Sequence, residues 1–213
     1  MKALIIAYGS MKSSQRLIAE AATSDVIICA DGGLEHAERC GIIPDFMIGD
    51  FDSVSRETLD KFKAAGVKGI SYPSEKDYTD TEICVEKALD LGADEICIAA
   101  GIGSRLDHSL GNVGLLHIML LRHIKGKIIS DGSEVYICNR EGLTLKGEAG
   151  DIVSVIPYGG DVSGITLKGL KYPLEDAMIP LGRPIGVSNV MVQTECSISI
   201  GMGEIIVIHY RNI

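Results

Sequence analysis

Asp50 and Asp52 stand two residues apart in the run IGDFDSV, residues 48–54, directly after a short apolar stretch that reads as a strand. In an extended segment residues i and i+2 project to the same side, so both carboxylates can reach one hard cation. Asp80, in the later acidic cluster Lys76-Asp77-Tyr78-Thr79-Asp80, can add a third oxygen. Magnesium is bound in this way, through a few carboxylates plus substrate phosphates. Taken singly, each aspartate reads as a solvated turn. Asp31, Asp50, Asp52, Asp80 and Asp107 each lie beside an expected strand end or helix start, and together they point to one shared acidic site.

The elements that must position these residues follow from the apolar pattern. Short apolar runs at 3–7, 26–30, 46–49 and 95–100 alternate with helical stretches near 12–22, 33–40, 55–65, 80–91 and 108–123. This alternation predicts an α/β domain, a mostly parallel sheet covered by helices, over residues 1–126. In such sheets ligands gather beyond the carboxyl ends of the strands, where Asp31-Gly32-Gly33, the segment 49–53 and the segment 101–108 all fall. No GxxxxGK[ST] loop is present, which leaves helix N-termini, Arg105 and Lys76 as phosphate partners. Thr79-Asp80-Thr81-Glu82 also reads as a capping box, with Thr79 closing the helix start and Asp80 facing outward. In the last helix Leu106, Leu110, Val113, Leu120 and Ile124 recur at helical spacing with His117 in the same stripe, which predicts a core-facing side.

From about Lys127 the grammar changes to strand-like pieces separated by glycine and acidic turns at intervals near ten residues (KIIS, EVYIC, LTLKG, DIVSVIPY, ITLKG, VMVQT, CSISI, EIIVIHY). Residues 127–213 are expected to be all-β.

Composition narrows the function. A formal net charge of −9 with scattered Lys and Arg argues against a nucleic-acid partner, which needs a positive footprint. No apolar run approaches the ~20 residues of a membrane span, and the opening run before Gly9 is too short for a signal-peptide core. The six cysteines are widely spaced without a CxxC, and Cys29, Cys84, Cys97 and Cys138 lie in apolar stretches. Reduced core thiols and a cytoplasmic setting are expected.

The segments ADGG (30–33), PDFMIGDFDS (44–53), EKDYTDTE (75–82), GSRLDHSLGN (103–112) and, more loosely, GLKYPLEDAMIPLG with VSN (169–182, 187–189) resemble the thiamine pyrophosphokinase family, in order along nearly the whole chain. The resemblance implies a Rossmann-like α/β domain followed by a β-sandwich, working as a homodimer with thiamine bound where subunits meet. It implies transfer of diphosphate from ATP to thiamine, with Asp50, Asp52 and Asp80 binding Mg²⁺. Asp31, Gly32, Lys76, Thr79 and Arg105 would line the ATP side. Asp107 would face thiamine, with Tyr172, Ser188 and Asn189 contributing from the β domain. Arg105 and Asp107 join the three metal-binding aspartates as the catalytic set, and Asp80 or Asp107 is the candidate general base. Family members often carry tryptophan where Tyr172 stands, and this chain has no tryptophan. The rival readings are a non-catalytic sensor of thiamine phosphates or nucleotides, and a metal-dependent phosphohydrolase or diphosphotransferase using another acceptor.

Overall fold

The computed structural model describes residues 1–72 and 77–211; Lys76 lies outside them. The chain divides into two compact units, residues 1–131 and 132–213.

The first unit runs β1 (Lys2–Ile6), α1 (Ser14–Ala21), β2 (Val26–Ala30), α2 (Gly33–Arg39), β3 (Phe46–Gly49), α3 (Arg56–Ala64), β4 (Lys68–Ser71), α4 (Asp80–Asp90), β5 (Glu95–Ala99), α5 (Leu106–Leu121) and β6 (Lys125–Ile129). Its strands are all parallel in the order β4-β3-β2-β1-β5-β6. Ala3, Leu4, Ile5 and Ile6 are all fully buried, the mark of a central strand covered on both faces. Leu4, Ile5 and Ile6 each contribute about 1.5–3 kcal/mol on leaving water. Ser13, Ser55 and Thr79 cap α1, α3 and α4 by accepting a backbone N–H three residues on. The order reverses beside β1, with β2, β3 and β4 on one side and β5 on the other, which is where an open α/β sheet opens a crevice.

Three features differ from the sequence reading. β4 carries one apolar side chain, Ile70, among Lys68, Gly69 and Ser71 at the sheet edge, so no apolar run announces it. The KIIS run lies in β6, which pairs parallel with β5 from Lys125↔Glu95 to Ile129↔Ala99. The units therefore divide after Asp131, not at residue 126. The expected core stripe of α5 is not its most buried face: Leu106 and Leu110 are 69% and 62% exposed and Val113, His117 and Leu120 half-buried, while Ser109, Asn112, Leu115, Leu116 and Met119 are buried. The helix is apolar nearly all round, so periodicity alone does not choose its inner face.

The second unit is antiparallel: β7 (Ser133–Cys138), β8 (Leu143–Lys146), β9 (Ile152–Lys168), β10 (Leu174–Ile179), β11 (Asn189–Val190), β12 (Glu195–Ser199) and β13 (Met202–Tyr210). β9 unites two expected strands. Its first half pairs with β13 and β11, its second with β10 and β12. Val153, Val155, Val162, Ile165, Leu167, Ile198, Ile205 and Val207 form the core.

His209 on β13 is fully buried within this unit, with Nε2 2.8 Å from Asp151 Oδ2 and Nδ1 3.8 Å from Glu134 Oε2. Glu134 is its cross-strand neighbour on β7, accepts from Tyr136 Oη at 2.6 Å and pairs with Arg211 at 3.2 Å. Glu134, then Asp151, hold the imidazole pKa above its ordinary value against the opposing effect of burial. All six cysteines are free, and burial pushes the Cys138 thiol up to about 12 and Cys196 to about 11, which keeps them unreactive. No helix among the described residues is long and apolar enough to cross a membrane.

Candidate functional site

A cleft of about 530 Å³ opens at the carboxyl ends of the parallel strands, lined by residues that include Tyr8, Gly9, Asp31, Asp50, Asp80 and Arg105. The loops after β1 and β5 meet there backbone to backbone. Gly9 N donates to Ala100 O at 2.8 Å and Ser10 N to Ile102 O at 2.7 Å. A Cβ on Gly9 would stand 2.4 Å from Ala100 O, so only glycine permits this approach. The glycine loop after β5 is held from α5: Ser109 Oγ accepts Gly103 N at 3.1 Å and donates to Arg105 O at 3.0 Å, and Asn112 Nδ2 donates to Gly101 O at 2.8 Å. These two polar residues face inward, while Leu106 and Leu110 are exposed. Both stand in the GSRLDHSLGN segment, but their holding role is visible only in the fold.

Asp31, Asp50 and Asp52 each bring a carboxylate oxygen within 4.8 Å of the others. The route differs from strand alternation. Phe51 has φ 63° and turns the chain between the two aspartates, while its ring packs against the first unit's core. Asp52 N then donates back to Asp50 Oδ1 at 3.3 Å. Asp31 also adopts positive φ, 43°, a region aspartate tolerates better than most residues. Its amide donates to Ile48 O at 2.8 Å, tying the end of β2 to β3. Asp31 thus takes the third place that was expected of Asp80. Asp80, the first residue of α4, lines the same cleft outside that close group.

The electrostatics of this trio work against it. One Asp31 oxygen, Oδ1, is buried without a hydrogen-bond partner. Burial first, and then the charges of Asp80 and Asp50, push the Asp31 carboxyl above its ordinary range, with Ser53 and the Gly32 amide countering in part. A divalent cation would relieve both the like-charge repulsion and the unmatched oxygen, so the donor set fits the magnesium expected here.

Arg105 precedes α5 and forms a two-point pair with Asp107, Nη2–Oδ2 2.5 Å and Nε–Oδ1 3.2 Å. Both side chains are exposed. The Arg105 guanidinium holds the Asp107 pKa down to about 2. Arg105 and Thr79 line the cleft. Gly32 lies beside Asp31 at the start of α2.

Within the second unit, Asn189 is buried and fully engaged: Oδ1 accepts Tyr172 N at 2.9 Å and Val190 N at 2.9 Å, and Nδ2 donates to Tyr172 O at 2.7 Å. It fixes the Tyr172 backbone. Tyr172 itself is exposed, with Lys171 Nζ 5.5 Å from its ring centroid. Ser188 is exposed at φ 60°, and its amide donates to Ser154 Oγ at 3.0 Å. Tyr8 and Tyr78, which the sequence reading gave no role, both line the first unit's cleft.

Comparison with known proteins agrees with this division. The family model for the thiamin pyrophosphokinase catalytic domain matches residues 18–128, and that for the thiamin pyrophosphokinase vitamin B1 binding domain matches residues 134–204. A thiamine pyrophosphokinase of Bacillus subtilis (strain 168) is 32% identical over 182 residues, 85% of each chain. The crystal structure of thiamine pyrophosphokinase from Bacillus subtilis superposes with a TM-score of 0.89 at 28% identity, covering 100% of both chains. That of thiamin pyrophosphokinase from Geobacillus thermodenitrificans superposes with a TM-score of 0.84 at 25% identity, covering 100% of this chain and 98% of the other.

Proposed function

Because the chain belongs to the thiamin pyrophosphokinase family, we infer that it transfers diphosphate from ATP to the hydroxyl of thiamine, giving thiamine diphosphate and AMP. The observation that carries this reading is the convergence of Asp31, Asp50 and Asp52 at the strand ends.

Asp31, Asp50 and Asp52 would hold Mg²⁺, with Asp80 on the same cleft. The bound ion would supply Lewis-acid charge neutralisation on the phosphate oxygens, worth several kcal/mol in the transition state. The Arg105 fork, already pre-formed on a carboxylate, matches a phosphate in two-point geometry. As it turns to ATP it would release Asp107 toward thiamine. Gly32, Lys76 and Thr79 complete the ATP side. The attacking hydroxyl must lose a proton, and general-base help is worth roughly 10²–10⁴-fold. Asp80, or Asp107 once Arg105 has left it, would accept that proton. Tyr172 would stack on the cationic thiazolium, with Asn189 setting its backbone and Ser188 beside it.

This reading takes the first unit as Rossmann-like and the second as a β-sandwich, since the two halves of β9 join different strand sets. A cytoplasmic homodimer, with thiamine where subunits meet, completes it. The deciding assay follows nucleotide products with and without thiamine. AMP formed only when thiamine is present supports the transfer. ADP or free phosphate formed without thiamine points to a hydrolase, and binding without turnover points to a sensor.

A further inference from the structure

Tyr8 follows β1 at the edge of the acidic cleft and is 57% exposed. One side of its ring is backed by protein. A Cβ on Gly32 would fall 2.5 Å from both Cγ and Cδ1, so the ring lies directly on the Gly32 backbone. His36 tilts against it, centroids 6.0 Å apart and planes at 54°. His36 is itself fixed by donating from Nε2 to Gly9 O at 2.9 Å, so the backing is rigid. A large apolar surface held this way beside carboxylates gains nothing from water, and a firmly backed aromatic ring with an open side is a platform for another planar ring.

We propose that Tyr8 is the stacking platform for the base of the nucleotide, and so a specificity-determining residue for the phosphate donor. The platform stands one residue from Asp31, through Gly32, and therefore beside the carboxylates that would organise the triphosphate. The vitamin B1 binding model covers residues 134–204, whereas Tyr8 belongs to the cleft of residues 7–112, which favours the nucleotide's base as the ring that stacks on it. A cleft of about 530 Å³ is within the range of small-ligand sites, and Tyr78, 60% exposed on the same cleft, supplies a second aromatic wall. The inference rests on reading the chain as an ATP-dependent diphosphotransferase.

The test compares Tyr8→Leu and Tyr8→Phe with the unaltered protein, using calorimetric binding of a non-hydrolysable ATP analogue and of inorganic tripolyphosphate, both with Mg²⁺. Base stacking is worth enough that Tyr8→Leu should weaken the ATP analogue roughly 5- to 100-fold. Tripolyphosphate, which has no base, should change less than about twofold, and Tyr8→Phe should bind both like the unaltered protein. Steady-state kinetics carry the same decision independently: KM for ATP should rise in Tyr8→Leu while KM for thiamine holds. Equal weakening of both polyphosphates, no weakening of either, or a rise confined to the thiamine KM would each overturn the proposal. If the unaltered protein binds the analogue in a Tyr8-dependent way yet forms no AMP from ATP and thiamine, the reaction assigned above fails and the stacking role stands.

Discussion

Asp31 in the first unit is half-buried and Asp151 in the second is buried, yet one is surrounded by like charge and the other meets opposite charge. Asp151 accepts from the buried His209 at 2.8 Å and from the Glu148 amide at 3.0 Å. Its network continues through Glu134 to Arg211. Asp31 shares its space with Asp50 and Asp52, feels Asp80, and leaves one oxygen unmatched. A buried pair of opposite charges satisfies itself and needs nothing from outside. A trio of acids held together by backbone turns costs stability, a cost that the cation and phosphate of the proposed reaction would offset. The first arrangement serves the fold, and the second is the one we propose for binding.

The contrast breaks most visibly at Asp151. Asp151→Ala strands a buried histidine, and should cost about 3–5 kcal/mol, lowering the apparent Tm by roughly 10 °C in a thermal melt. A fall under about 2 °C would mean that the network does not support the fold. Asp50→Asn should do the reverse, cutting kcat by about 100-fold or more, near 3 kcal/mol of activation energy, with the Tm nearly constant. The same variant should lose the Mg²⁺-induced rise in Tm, a few °C, that linkage predicts for the unaltered protein. Near wild-type turnover at saturating Mg²⁺ would remove the metal role of this cluster.

Tyr172→Ala sharpens the comparison between substrates. An exposed cation–π contact is worth about 0.5–2 kcal/mol, so the KM for thiamine should rise roughly 2- to 30-fold with the KM for ATP unchanged, and equal rises in both would argue against stacking there. Proton linkage supplies a finer test. The pKa of His209 is raised in the folded state, so its stabilising contribution is complete below its ordinary 6.5 and is lost as pH rises through the folded value. The Tm of the unaltered protein should fall across that window, and His209→Gln should flatten the profile. The Asp31 pKa is also raised, but here the ionised form is the penalised one, so its stability contribution is lost as pH rises from the ordinary carboxylate range through the folded value. Asp31→Asn should therefore raise the Tm of metal-free protein slightly at neutral pH, by about 1–3 °C. A lower Tm in that variant would show that the acid trio is not a stability cost.

The strands after which the candidate aspartates fall were legible because each buried parallel strand is a short apolar run, and runs such as ALIIA and VIICA need no partner to be recognised. The capping role of Thr79 was equally local. Asp50 and Asp52 were identified from alternation in an extended segment, although the turn at Phe51 is what brings them together. The edge strand at 68–71 and the inner face of α5 escaped because the first has too little apolar character and the second has too much.

Residue types, their order and the local periods of helix and strand were the sequence's own contribution: a parallel α/β half, a β half, and acids waiting at strand ends. Only the tertiary structure decided that Asp31 joins Asp50 and Asp52, that Tyr8 lies on Gly32, and that His209 meets Asp151 and Glu134. Those meetings depend on which strands become neighbours and on where the backbone turns. Local periodicity carries no information on contacts between residues 19 to 75 positions apart, whose geometry is set by the packing of the whole sheet.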